Sequence, residues 1–160
     1  MKETKNIMIV GVGGQGTLLT SRILGGITVA AGYDVKLSEV HGMAQRGGSV
    51  VTFVRYGEKV AEPIVEEGQA DVLIAFERLE ALRYAHFLKK DGVIVVNDHR
   101  IDPITVVTGA AQYPDNIIVL GVAAKHMDFS KEAWLEVIEK TVPPKTVEIN
   151  KQAFLLGFEG

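Results

Sequence analysis

The sequence contains no cysteine. No disulfide can staple the fold, no thiol can act as nucleophile, and no thiolate-held iron–sulfur cluster or cysteine zinc site can be built from it. Any redox centre that this chain serves therefore sits on a partner. An excess of basic charge is missing too. Seventeen Lys and Arg stand against 20 Asp and Glu, a formal net charge of -3, which offers no electrostatic footprint for nucleic acid or for an anionic membrane surface. No apolar run approaches the ~20 residues that span a bilayer. The opening Met1–Asn6 leads directly into an apolar stretch without the pattern of a signal peptide, so the expected setting is the cytoplasm. His41, His86, His99 and His126 have no companions at metal-ligand spacing, and no metal site is expected.

What is present suits one globular domain over residues 1–160, with 47% hydrophobic and 23% charged residues. Ile7–Val10 form a continuous apolar run, the mark of a strand covered on both faces. Glycines break it, and from Thr17 to Tyr33 apolar residues recur at helical spacing, with Gly32 as the stop. Strands are predicted over 34–40, 49–57, 70–76 and 92–98, the last of them buried, and a further extended piece over 102–109. A helix is predicted over 77–90, with Leu79, Leu82, Ala85, Phe87 and Leu88 as its inner side. Ser130 starts another helix through an imperfect capping box, and a final short helix is expected around Val147–Leu156. Residues 117–127 fit a strand or a helix equally on period. The alternation predicts an α/β fold: a Rossmann-like three-layer sandwich around a mostly parallel sheet.

Two glycine-rich elements carry the candidate chemistry. Gly11, Gly13, Gly14, Gln15 and Gly16 form G-V-G-G-Q-G between a strand and a helix, the context in which backbone N–H groups at a helix N-terminus hold an anion. The same turn serves equally to pack a helix on a sheet. A dinucleotide site would add an acid about 20 residues on, at the end of the second strand. Asp34 comes too early for that role, and Glu39 fits better. The second element, "HGMAQRGGSVV" (41–51), combines His41, Gln45, Arg46, Gly47 and Gly48 in one loop. Arg46 can clamp a carboxylate or diphosphate bidentately, with the Gly47 and Gly48 amides as a small anion nest, or it can pair with Glu39 and stiffen the loop. His41 is a candidate proton shuttle or a hydrogen-bonded structural residue. His99 lies just past a strand end, where α/β proteins often place ligands. Met43 and Gln45 can shape the loop to a partner surface, and Glu77 complements a helix dipole.

Taken together, "GVGGQGTLLTSRILG" (11–25), "VKLSEVHGMAQRGGSVVTFVRYG" (35–57), "ADVLIAFERLEALRY" (70–84) and "VPPKTVEINKQAFLLG" (142–157) resemble the gamma-type subunit of 2-oxoacid:ferredoxin oxidoreductases. Within that family the likeness is to the beta subunit of indolepyruvate ferredoxin oxidoreductase. The resemblance implies oxidative decarboxylation of aryl 2-oxoacids to acyl-CoA, with electrons passed to ferredoxin. It places thiamine diphosphate, Mg and 4Fe–4S clusters in a large catalytic partner subunit, makes CoA a co-substrate, and gives this chain no cofactor and no activity alone. It implies that the glycines serve something other than a dinucleotide, that His41, Gln45, Arg46, Gly47 and Gly48 meet substrate, CoA or partner, and that residues 117–127 are helical. Ferredoxin is then an indirect partner, and a homodimer is possible in isolation. One departure stands out. Family members are longer, and the shortfall falls near residues 113–116, where a helix and a strand are missing. Either the protein has lost this segment or the sequence as read omits it. The second is the expectation, because the join would delete an element of the sandwich.

Overall fold

The apolar run Ile7–Val10 is the centre of the sheet. The computed structural model describes residues 3–42, 47–97 and 114–160. Its strands are β1 (Lys5–Val12), β2 (Asp34–His41), β3 (Ser49–Gly57), β4 (Ala70–Ala75) and β5 (Leu88–Val96). Its helices are α1 (Thr17–Ala30), α2 (Arg78–Tyr84), α3 (Asp115–Ala124), α4 (Lys131–Thr141) and α5 (Val147–Glu159). The sheet order is β2-β3-β1-β4-β5. β1, β4 and β5 pair in parallel, while β3 runs antiparallel to both β1 and β2. Every strand but β3 therefore points the same way. The mostly parallel sheet holds by strand direction, with a β2–β3 hairpin grafted beside β1.

Alternate residues of β1 feed two cores. Ile7 and Ile9 pack with Ile23, Leu24, Leu120, Trp134 and Phe154 under α1, α3, α4 and α5. Met8 and Val10 pack with Val51, Phe53, Leu73 and Ala81 on the α2 face. Burial on both faces is why no polar alternation interrupts the run. Among the described residues, no helix is long and apolar enough to cross a membrane.

Several expectations meet the structure differently. The helix predicted over 77–90 ends at Tyr84, passes through a short turn at Ala85–Phe87 and gives way to β5 at Leu88. Parallel pairing with β4 claims Leu88 onward, overriding a local pattern that suits either state. β5 is an edge strand rather than a buried one, with Ile94 and Val96 exposed. α2 is turned over: Leu79 and Leu82, expected inside, are 64% and 75% exposed, while Glu80 and Ala81 are buried. Residues 117–127 resolve in favour of helix α3 up to Ala124. Ser130 caps α4 by accepting the Ala133 N–H at 3.2 Å. The extended piece expected over 102–109 lies outside the described residues.

The tightest joint in the helical layer is the crossing of α3 and α5. A Cβ on Gly157 would lie 2.0 Å from the Ile118 carbonyl oxygen, and one on Gly121 2.2 Å from that of Phe154. The two backbones touch there, and only glycine fits. Helix propensity alone predicts that Gly157→Ala gains ~1 kcal/mol. The crossing predicts the opposite: forcing the backbones apart costs about 1–3 kcal/mol net, as overpacking usually does. Denaturant unfolding of G157A decides which effect wins.

Candidate functional site

The site is the carboxyl edge of β1 and β4. α1 leaves β1 toward one face and α2 leaves β4 toward the other, so a crevice opens between the two strand ends, at the topological switch point where α/β sheets bind ligands. It holds about 160 Å³ and is lined by Gln15, Phe76, Asn97, Asp115 and Asn116.

The glycine turn is built onto this crevice by Gln15. The Gln15 Oε1 accepts the Val12 N–H at 2.7 Å, its Nε2 reaches the Phe76 carbonyl oxygen at 3.5 Å, and its own N–H donates to the Val12 carbonyl at 3.1 Å. The side chain braces the turn against the end of β4. Gly16 takes φ 90° as the N-cap of α1 and supplies no side-chain cap. A Cβ at Gly16 would sit 2.5 Å from Asn116 Nδ2 at the start of α3. The first N–H groups of α1 lack intrahelical partners by geometry, and no acidic side chain stands in its first turn to occupy them. The expected anion-binding character of Gly11–Gly16 is thus compatible with the local geometry.

The loop after β2 meets the same turn. Gly13 N–H donates to the Gly48 carbonyl at 2.8 Å, and Gly47 N–H donates to the Gly13 carbonyl at 3.4 Å. The two glycine elements, more than 30 residues apart in sequence, are hydrogen-bonded to one another. Gln45 and Arg46, with Met43, lie outside the described residues, as does His99. His41 ends the edge strand, exposed, with its Nδ1 3.1 Å from the Gly42 carbonyl oxygen. His86 is exposed and 3.6 Å from Glu67. Among the described residues, no group of three His, Asp or Glu side chains is placed to hold a metal ion.

Glu77 does more than complement a helix dipole. It is 2% exposed, and its Oε2 accepts the Leu79 and Glu80 N–H groups at 2.7 and 3.0 Å, capping α2. Its Oε1 is buried without a partner. Asn116, Asn97, Ser49 and Glu80 were not singled out from the sequence. The signal for Asn97 was its place at a strand end. For the others there was none, because their neighbours come from distant segments.

Glu39, the candidate ribose-binding acid, is displaced. β3 occupies the position beside β1, so β2 lies two strands away, ~9.6 Å at the usual strand spacing. Glu39 is exposed there and accepts from Thr52 Oγ1 at 3.4 Å. A wider cleft of about 270 Å³ lies at the opposite edge of the sheet. There Asp71 accepts the Asn6 N–H at 2.8 Å and pairs with Lys5 and Lys89. The Lys89 ammonium is held above its ordinary range by that bond, and burial pushes the Tyr56 hydroxyl well up, helped by Tyr33, Asp128 and Asp71. This cleft shares no residue with the glycine elements.

The family described as pyruvate ferredoxin/flavodoxin oxidoreductase matches residues 6–160. The indolepyruvate oxidoreductase subunit IorB of Thermococcus kodakarensis is 40% identical over 193 aligned positions, covering 98% of this chain and 95% of the relative. The 2-oxoglutarate synthase subunit KorC of Methanocaldococcus jannaschii is 29% identical, covering 99% and 95%. Among solved structures, the gamma subunit of a keto/oxoacid ferredoxin oxidoreductase from Geobacter sulfurreducens superposes with a TM-score of 0.74 at 27% identity, covering 97% of this chain and 96% of that one. With the acid displaced from the glycine turn, calorimetry with NAD(H), NADP(H), FAD and ATP should show no binding up to millimolar ligand. Micromolar affinity for any of them would restore the nucleotide-enzyme reading.

Proposed function

The chain belongs to the pyruvate ferredoxin/flavodoxin oxidoreductase family, and on that premise we propose that it is the small subunit of a 2-oxoacid:ferredoxin oxidoreductase acting on an aryl 2-oxoacid such as indolepyruvate. The observation that carries this reading is the 40% identity to an indolepyruvate oxidoreductase subunit over 98% of the chain. In the reaction, the 2-oxoacid loses CO2, its acyl group passes to CoA, and two electrons go to ferredoxin.

These 160 residues contain no cysteine and so offer no thiolate to an iron–sulfur cluster, and in this reading thiamine diphosphate and its Mg go with the clusters. Those groups belong to the large catalytic subunit, and ferredoxin takes its electrons there. This chain's part is to meet anions at the edge of that active site. Gly13 and Gly47 spend their N–H groups on each other's elements, and Gln15 spends its own on Val12, so the contact falls to the N–H groups at the start of α1, to Gly48 and to Arg46, which meet the substrate carboxylate, the CoA phosphates or acidic groups of the large subunit. Without that subunit the chain is inactive, and in isolation it can pair with a second copy of itself.

An alignment of 193 positions against 160 residues supports a segment that the relative has and these residues lack, and we place it near 113–116. The intact mass of the natural protein tests this: a value larger than that of these 160 residues is expected, and an equal value establishes a true deletion. Co-expression with the large subunit should yield a complex that reduces ferredoxin with indolepyruvate and CoA. Full activity of a large subunit that never binds this chain would defeat the proposal. In the complex, Arg46→Ala should lower kcat/KM by about 10-fold to 100-fold, the loss of a charge-assisted contact of about 1.5–3 kcal/mol. Unchanged kinetics would leave the chain a purely architectural role.

A further inference from the structure

We infer that Glu80 and Ser49 are positioning residues, a side-chain clamp that sets the Gly47–Gly48 element against the glycine turn. The inference rests on the reading of the chain as an oxidoreductase subunit.

The clamp begins with an anomaly in α2. The helix buries Glu80, 4% exposed, and leaves Leu79 and Leu82 in water. Turned the other way, it would bury two leucines and solvate an acid, the arrangement that stability alone favours. The inward acid is held by specific bonds. Ser49 Oγ donates to Glu80 Oε2 at 2.5 Å, and the Tyr84 hydroxyl is 3.4 Å from the same Oγ. Arg83 Nε reaches Glu80 Oε1 at 3.3 Å from the solvent side. Both carboxylate oxygens are engaged, so the group is fixed in orientation.

Ser49 is the first residue of β3 and pairs with Val12. The residue before it, Gly48, accepts from Gly13, and Gly47 donates to Gly13. A continuous chain of short contacts thus runs from the α2 carboxylate through Ser49 to the backbone groups of both glycine elements. The glycine turn after β1 and the foot of the loop share one rigid reference, on a helix that lies on the other face of the sheet from α1. The clamp acts through these backbone groups, and neither of its side chains need touch substrate.

The test uses the complex with the large subunit and three variants: Ser49→Ala, Ser49→Thr and Glu80→Gln. S49A should raise the KM of CoA or of the 2-oxoacid about threefold to tenfold, the worth of one hydrogen bond, with kcat changed less than about twofold. S49T, which keeps the hydroxyl, should restore the wild-type KM. E80Q keeps an acceptor for Ser49 but loses Arg83, and should fall between them. In the isolated chain, exchange of the Gly13 and Gly47 amides should quicken about threefold to tenfold in S49A, while that of Ile9 stays unchanged. An S49A chain that keeps both KM values and its amide exchange overturns the clamp. So does one that loses thermal stability or assembly without the KM shift. Should S49A not fold, S49T and E80Q carry the test, and wild-type KM values for E80Q then overturn it. A wild-type complex without ferredoxin-reducing activity defeats the functional reading instead, and leaves the amide-exchange result to judge the clamp.

Discussion

The antiparallel pairing of β3 with β1 governs the rest of the site. It runs from Lys5 opposite Tyr56 to Val12 opposite Ser49, so the chain returns from the hairpin at the point where the glycine turn begins. In a dinucleotide-binding sheet the second strand of the fold would stand beside β1 and bring its acid to the turn. Here β3 takes that place. The pairing displaces Glu39 by a strand and in its stead delivers Gly47 and Gly48. One strand order removes the acid from the turn and hydrogen-bonds a second glycine element to it.

The same pairing explains the odd amphipathicity of α2. β3 starts at Ser49, beneath the helix, and offers a hydroxyl to its inner face. A carboxylate in that position finds a donor, where elsewhere on the face it would lie buried without one and incur the desolvation cost that normally keeps acids outside. Glu77, one turn earlier, is tolerated for a different reason, since its Oε2 satisfies two backbone N–H groups that a helix start always leaves free. Local sequence could not separate these faces. Positions 79 and 82 and positions 77, 80, 81 and 84 both follow the 3.6 period, and hydrophobicity alone chooses the wrong one.

A comparable division holds across the fold. Long, strongly patterned segments were legible: the doubly covered β1, the first helix, the capped start at Ser130. The boundary at Tyr84 was not, because Phe87 and Leu88 suit a helix or a strand, and the choice rests on the edge of β4 waiting to be paired. Segment 117–127 was undecidable by period. The family resemblance settled it as helix, and the contact of Gly121 with α5 shows the physical reason: its backbone is pressed against Phe154 and Gly157, and a helix without a Cβ at that point makes the approach possible.

By itself the sequence determined what the chain cannot carry and which segments can approach an anion. The lack of cysteine denies it a cluster, and glycines at 11–16 and 47–48 allow backbone amides to come close. Those are properties of residue chemistry and need no neighbours. That the two elements hydrogen-bond to each other, that Gln15 braces the turn to Phe76, and that an inward Glu80 holds Ser49 were decided only by tertiary structure. Each depends on strand order and on which helix face meets the sheet, and these are set by the competition among distant segments for the same edge and the same core.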